Sequence, residues 1–336
     1  MPSTPAEIPL IDIASLLQDG SDAAVAAIAG QIEKAARGTG FFYVSGHGVA
    51  AEVVEAAFDA NRRFHALPLE EKMKIKRNAW HRGYSPIGVS TLKSSARFEA
   101  AKRPNQLEAV SVRHEVDPSH PDYEKKDLQG PNAWPEQPWF KPAIQRYDAA
   151  LHALAQKLLH PFAVAVGERR DFFDSYFRPA TSNLRVIHYP PGAPRRPEDL
   201  FGIHPHTDYG FMTILAQDDV GGLQVRRVDG TWIDAVYIPE TFIINVGDIL
   251  ARWTNDVFNS TPHRVISPAE SRDRYSIGYF FDPRLDAEIR CLPRFQQAEP
   301  SKYEPIRYGD YFAMRLDLNH PNRSDSAGRP IAAAVH

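Results

Sequence analysis

The segment "GIHPHTDYGFMTIL" (residues 202–215) sets His204, His206 and Asp208 close together, directly ahead of an apolar run. On a strand, residues two apart share a face, so His206 and Asp208 point the same way. Pro205 cannot donate to a regular ladder, which leaves His204 as an approach residue rather than a ligand. A further histidine, His263, begins the β-prone part of "STPHRV" (260–265). Two neutral imidazoles and one carboxylate on neighbouring strands would occupy one face of an octahedral ion. Three positions would stay open, as in non-haem Fe(II) oxygen chemistry. Zinc can take the same donors, and a lone His-x-Asp also occurs as ordinary polar residues at a strand start.

Beyond His263 lies "RYS" (274–276). Arg274 and Ser276 share a strand face, and an arginine fork beside a hydroxyl matches a carboxylate held bidentately. Inside a run as apolar as "YSIGYFF", an arginine without an anion would be costly. An oxygen-activating iron needs a two-electron donor. A 2-oxo diacid supplies it by chelating iron with its 2-oxo acid end while its far carboxylate rests on the arginine. In "SNLRVIHYP" (182–190), alternation puts Asn183, Arg185, Ile187 and Tyr189 on one face. From there Arg185 and Tyr189 could hydrogen-bond the oxo acid, although Tyr189 also reads as a core tyrosine. His188 reads as a strand-end or supporting residue.

These residues need a β scaffold, and the C-terminal half offers one. "FMTILAQD", "GGLQVRRVDGTWIDAV", "TFIINVGDILARWT", "HRVISP" and "RYSIGYFFDP" are strand candidates separated by Gly, Pro and Asn/Asp turns. Short strands with no helices between them predict an antiparallel sandwich or barrel. The first half reads differently. Ser21 caps a helix over "SDAAVAAIAGQIEKAARGTG"; "AAEVVEAAFDANRRFHAL" and "LEEKMKIKR" are helical, and "IPLIDI" and "FFYVSGHGV" are strand-like. Residues 78–140 read as loop-rich, "KPAIQRYDAALHALAQKLLHPFAVAVG" as a long helix with a possible kink near Pro161, and "YGDYFAMRLDLN" as a closing helix before a polar tail.

The chain has 336 residues, 43% of them apolar, which is enough for a large core. A net charge of −3 gives no sign of a nucleic-acid or anionic-membrane partner, and short basic runs such as "MKIKR" read as solvated helix ends. Cys291 is the only cysteine, which excludes an intrachain disulfide and a thiolate metal cluster and suits a reducing, cytoplasmic setting. No signal peptide or membrane span is expected.

Together these motifs resemble the Fe(II)- and 2-oxoglutarate-dependent dioxygenases of the isopenicillin N synthase-like branch. "IPLIDI", "GFFYVSGHGV" and "FHALPLEEK" look like that family's N-terminal region. "HTD" (206–208), "GGLQVR" (221–226), "DGTWIDA" (229–235), "INVGDILARWTND" (244–256), "STPHRV" and "RYS" follow in family order. The resemblance implies an α+β fold with a double-stranded β-helix, or jelly roll, flanked by N- and C-terminal helices. It implies a helical region over 1–120, a helical linker over 121–180, the core over 181–290, and a helix and tail over 291–336, as one unit. It implies iron on His206, Asp208 and His263, 2-oxoglutarate on Arg274 and Ser276 with Tyr189 close by, and O2 as oxidant.

"HTDYGFMTILAQDDVGGL" is similar to bacterial ethylene-forming members, in which the residues matching Arg185 and Tyr209 lie by cosubstrate or substrate. "TND" in place of the family's common "TNG", and His188 where plant members often have tyrosine, leave substrate choice open. The expected activity is hydroxylation or desaturation of a small molecule, coupled to decarboxylation of 2-oxoglutarate to succinate and CO2. Fragmentation of 2-oxoglutarate to ethylene, or a catalytically idle jelly roll that binds metal or organic acid, are the alternatives. Substrate contacts are expected from Tyr209, His81, Arg82, Tyr84, Phe280 and Phe281 and from the polar tail, with Arg82 or Arg185 able to pair with an anion. The partner is a small molecule rather than nucleic acid or membrane, and the chain is a monomer or weak homodimer.

Overall fold

Alternation along the strands decides which side chains meet the helices and which enclose the site. The computed structural model describes residues 8–90, 101–124, 128–192, 197, 199–267 and 272–319. In chain order these form β1 (Leu10–Asp12), α1 (Ala14–Gln18), α2 (Asp22–Arg37), β2 (Phe41–Ser45), α3 (Ala51–His65), α4 (Leu69–Met73), β3 (Gly83–Ser85) and β4 (Glu108–Arg113). There follow α5 (Phe140–Ala165), β5 (Thr181–Tyr189), β6 (Ile203–His206), β7 (Met212–Gln217), β8 (Leu223–Arg226), β9 (Trp232–Asp234), β10 (Phe242–Val246) and α6 (Asp248–Trp253). The last are β11 (His263–Val265), β12 (Arg274–Asp282), β13 (Glu288–Ile289), β14 (Ile306–Arg307) and α7 (Tyr308–Asn319). The polar tail beyond α7 and its expected substrate contacts lie outside the described residues.

Eight strands in the order β1-β2-β10-β7-β12-β5-β4-β3 form one sheet, and β6-β11-β8-β9 form a second. The pairings are antiparallel except β1 with β2. One core cluster lies between the two sheets, where Phe41, Tyr43, Ile187, Tyr189 and Ile243 of the first meet Ile203, Leu223, Val225 and Val265. Their sequence neighbours Phe42, Val44, Val186 and Ile244 turn the other way, into the larger core under α2, α3 and α5. This is the double-stranded β-helix with flanking helices, and period-2 geometry generates both layers from the same strands.

The helices follow their sequence signals. Ser21 Oγ accepts from the Ala24 amide at 3.2 Å, Asp22 sits in the first turn and Lys34 and Arg37 in the last, complementing the helix dipole. α5 runs on through Pro161 to Ala165. Residues 1–120, expected as a helical region, supply four strands of the large sheet, and two of them, β3 and β4, fall where the sequence reads as loop. In β4 the polar Glu108, Ser111 and Arg113 mask the alternation, because this strand is covered on both faces. Among the described residues no helix is long and apolar enough to cross a membrane.

Candidate active site

His206 ends β6 and His263 begins β11, and the two are direct cross-strand partners with ring centroids 4.2 Å apart. The β6–β11 ladder is irregular between these residues and the Val265↔Ile203 pair, as Pro205 requires. Asp208 is not on a strand with His206. It lies in the connection that crosses from the small sheet to β7 in the large one. The run "FMTIL" therefore does not carry the pair, and the shared direction of the two side chains comes from the crossing. That connection is strapped to the start of α6. The Asp248 amide donates to the Asp208 carbonyl at 2.8 Å and the Ile249 amide to the Gly210 carbonyl at 2.9 Å. Gly247 lets the two backbones meet, since a Cβ there would strike the Gly210 carbonyl.

Candidate ligand atoms of His206, Asp208 and His263 all lie within 4.8 Å of one another. Asp208 Oδ1 is 3.8 Å from His206 Nε2 and 3.7 Å from His263 Nε2. The remaining atoms are committed elsewhere. His206 Nδ1 bonds the His204 carbonyl at 2.8 Å and His263 Nδ1 the Thr261 carbonyl at 3.1 Å, which makes each Nδ1 the donor and leaves Nε2 its lone pair. Asp208 Oδ2 accepts from Thr213 Oγ1 at 2.5 Å and Asn245 Nδ2 at 2.7 Å. Burial, then the His263 ring, lowers the pKa of His206 to about 3. Burial alone would raise Asp208, but His263, His206 and the two hydrogen bonds outweigh it and hold the carboxyl low. Two neutral imidazoles with free Nε2 atoms and one ionised carboxylate suit a divalent transition metal.

Arg274 is buried where β12 pairs with β5 at Tyr189, with its guanidinium 4.7 Å from the Tyr189 ring centroid. Its Nε donates to the Gly221 carbonyl, Nη2 to Gln217 Oε1 at 3.0 Å and Nη1 to Ser276 Oγ at 3.3 Å. A guanidinium has five donors, so each terminal nitrogen keeps one for a bidentate anion. Among the described residues no carboxylate pairs with it. β7 serves both halves of the site, because Thr213 at one end holds Asp208 and Gln217 at the other holds Arg274.

A cavity of about 160 Å³ opens beside His206 and Asp208. Of the expected substrate residues, Tyr209, His81 and Phe280 line it, as does Arg185. Arg82, Tyr84 and Phe281 do not. Arg82 is fully buried and spends its guanidinium on the Leu128 and His114 carbonyls and Asn132 Oδ1. Tyr84 bonds Glu108 on the helix side of β3. Phe281 stacks on Phe177 under the helices, because its neighbour Phe280 takes the cavity face of β12. His204 is held by Asn105 Oδ1 and the Asp199 carbonyl, and His188 by Glu108 and Asp273, so both are supporting residues.

Thr213, Asn245 and Gln217 escaped the sequence reading, although a polar residue in the apolar run "FIINV" was a visible sign. The cavity also takes Arg113, Asp282, Phe312 and Arg77. Arg77 closes "MKIKR", which was expected to be solvated.

The N-terminal part, residues 8–137, matches the model described as non-haem dioxygenase in morphine synthesis N-terminal, and residues 180–283 match the 2OG-Fe(II) oxygenase superfamily. The chain is 35% identical to a 2-oxoglutarate-Fe(II) type oxidoreductase, hxnY, of Emericella nidulans, over 91% of this chain and 88% of that one. The chain belongs to the Fe(II)/2-oxoglutarate oxygenases. The oxygenase is also 34% identical to a homoarginine-6-hydroxylase of Arabidopsis thaliana, over 88% of this chain and 82% of that protein. Among solved structures it superposes on a full-length Neurospora crassa protein in complex with alpha-KG, with a TM-score of 0.79 and 32% identity, covering 94% of this chain and 98% of that one. It is thus a 2-oxoglutarate-dependent oxidoreductase that uses Fe(II), 2-oxoglutarate and O2.

Proposed function

We propose that His206, Asp208 and His263 hold Fe(II), that Arg274 and Ser276 hold the far carboxylate of 2-oxoglutarate, and that the oxygenase hydroxylates or desaturates a small molecule in the neighbouring cavity. The observation that carries this is the spacing of the three donors, all within 4.8 Å and each with its other polar atom already bonded. When bound, the iron supplies the activation of O2 that couples 2-oxoglutarate decarboxylation to substrate oxidation. The protein's own contributions are positional. Thr213 and Asn245 fix the Asp208 carboxylate, backbone carbonyls fix the imidazole tautomers, and Gln217 with the Gly221 carbonyl aims the arginine fork. Tyr189 beneath Arg274 supports its place beside the cosubstrate, and the apolar layer between the sheets keeps water from the reacting groups. Tyr209, His81 and Phe280 on the cavity wall support roles toward substrate.

The order of the motifs supports the isopenicillin N synthase-like branch. The lone, buried Cys291 supports a cytoplasmic setting, and a monomer or weak homodimer completes the reading. The relatives carry the names of different small-molecule reactions, so none of their substrates is transferred. The test is succinate formation from 2-oxoglutarate with Fe(II) and O2, expected in the intact protein and lost in Arg274→Ala. Tight Zn²⁺ binding without Fe(II)-dependent O2 uptake would instead mark an idle binding protein, and ethylene in the headspace would mark fragmentation of 2-oxoglutarate.

A further inference from the structure

The cavity beside the metal triad is cationic to a degree that the metal and cosubstrate do not explain. Arg113 and Arg185 stand on adjacent strands of one sheet face. The register pairs Ser111 with Arg185 and Arg113 with Asn183, so the two arginines are diagonal neighbours, roughly 7–8 Å apart at Cα. Both line the cavity. Arg113 is only 5% exposed, and its Nε has no hydrogen-bond partner. Among the described residues no ion pair holds either guanidinium, and no hydrogen bond holds that of Arg185. Arg77 brings a third guanidinium to the same wall, held down at about 10 by burial and then by the charge of Arg185.

The carboxylates nearby are already committed. Asp208 belongs to the triad. Asp282 accepts from the Phe211 amide at 2.8 Å, and burial pushes it up to about 6. A guanidinium as buried as that of Arg113 and held by no ion pair is costly, and such a cost persists where a ligand removes it.

Arg113 is also built into its place. Its backbone amide donates to Asn132 Oδ1 at 2.9 Å, and its carbonyl accepts from Asn132 Nδ2 at 2.8 Å. The Phe312 ring lies 5.3 Å from its guanidinium carbon. Phe280, Leu107 and Leu316 add apolar surface to the same wall. A cavity of about 160 Å³ has room for a body near the size of one aromatic ring.

We propose that the primary substrate is a small organic acid whose carboxylate is held by Arg113 and Arg185, with its apolar body against Phe280 and Phe312 and directed at the metal triad. The inference rests on the reading of that triad and of Arg274 as the reaction centre. A carboxylate on these arginines could also belong to 2-oxoglutarate itself, and the experiment separates the two sources.

The full chain is first titrated anaerobically with Fe(II) and 2-oxoglutarate. Failure at that step overturns the reaction centre before any probe is added. The loaded protein is then titrated with benzoate and hexanoate and with their neutral amides. The acids are expected to bind, with the amides at least about ten-fold weaker, the loss of one charge-assisted partner. Arg113→Met and Arg185→Met are each expected to remove that preference while 2-oxoglutarate affinity stays as in the wild type, and Arg113→Lys to restore part of it. Amides that bind as well as acids, acids that do not bind at millimolar concentration, or variants that lose 2-oxoglutarate instead would overturn the proposal. Melting curves identify a misfolded variant, and Arg185→Met carries the test if Arg113→Met does not fold.

Discussion

Asp208 can offer a metal one oxygen because Thr213 and Asn245 occupy the other. Removing that support leaves the ligand in place but free to turn. Asn245→Ala is expected to weaken Fe(II) binding about 10- to 100-fold with little change in fold, read by anaerobic titration beside a melting curve. An unchanged iron affinity would remove Asn245 from the site. Type and spacing singled out His206, Asp208, His263, Arg274 and Ser276 as candidates, and the order of the surrounding motifs joined them into one proposed site. Asn245 and Gln217 stayed hidden because their task is defined by a partner on another strand, and no local spacing encodes which strands become neighbours. Arg82 misled for the complementary reason, since its buried carbonyl partners at Leu128 and His114 are distant in sequence.

Strand alternation makes a sharper claim at the scale of elements. Phe280 and Phe281 are adjacent on β12, yet one faces the cavity and the other the helical core. Phe281→Ala is expected to cost about 3–5 kcal/mol of stability with substrate binding unchanged in the folded fraction. Phe280→Ala should cost less stability and alter substrate binding, and equal losses in a urea titration would contradict the alternation. The close approach of Gly247 to Gly210 supports a second expectation. Gly247→Ala should push the Asp208 connection away from α6, lowering both the melting temperature and iron affinity, whereas an affinity held at the wild-type level would show that the strap does not position Asp208. The helices and most strands of the jelly roll were legible from caps, periodicity and turn residues. β3 and β4 were not, because a strand covered on both faces and carrying Glu108 and Arg113 loses the apolar alternation that announces a strand.

The whole molecule buries several histidines whose neutral forms it requires. Burial lowers His65 to about 3 and His114 to about 4. The unfolded chain, with ordinary histidines near 6.5, binds more protons between those values and 6.5, so folding stability falls as pH drops through that window. Glu108 acts lower. Burial would raise it, but hydrogen bonds from His188, Lys72 and Tyr84 hold it at about 2, so its contribution is intact above about 4.5 and is lost only toward pH 2. Asp148 and Asp282, pushed up by burial to about 6, oppose this over the same window. The urea midpoint is therefore expected to decline from pH 7 to pH 4 less than the histidines alone would give, with a shallower slope in His65→Gln, and an unchanged slope in that variant would contradict the burial of a neutral imidazole.

The central claim joins two halves of one site, a metal on His206, Asp208 and His263 and a diacid on Arg274. Anaerobic titration of Fe(II) and then 2-oxoglutarate into wild type, His263→Ala and Arg274→Ala tests it most directly. Wild type should take one of each. His263→Ala should lose the iron, and Arg274→Ala should keep the iron while binding 2-oxoglutarate about 10- to 100-fold more weakly. Iron affinity unchanged in His263→Ala, or 2-oxoglutarate affinity unchanged in Arg274→Ala, would contradict it.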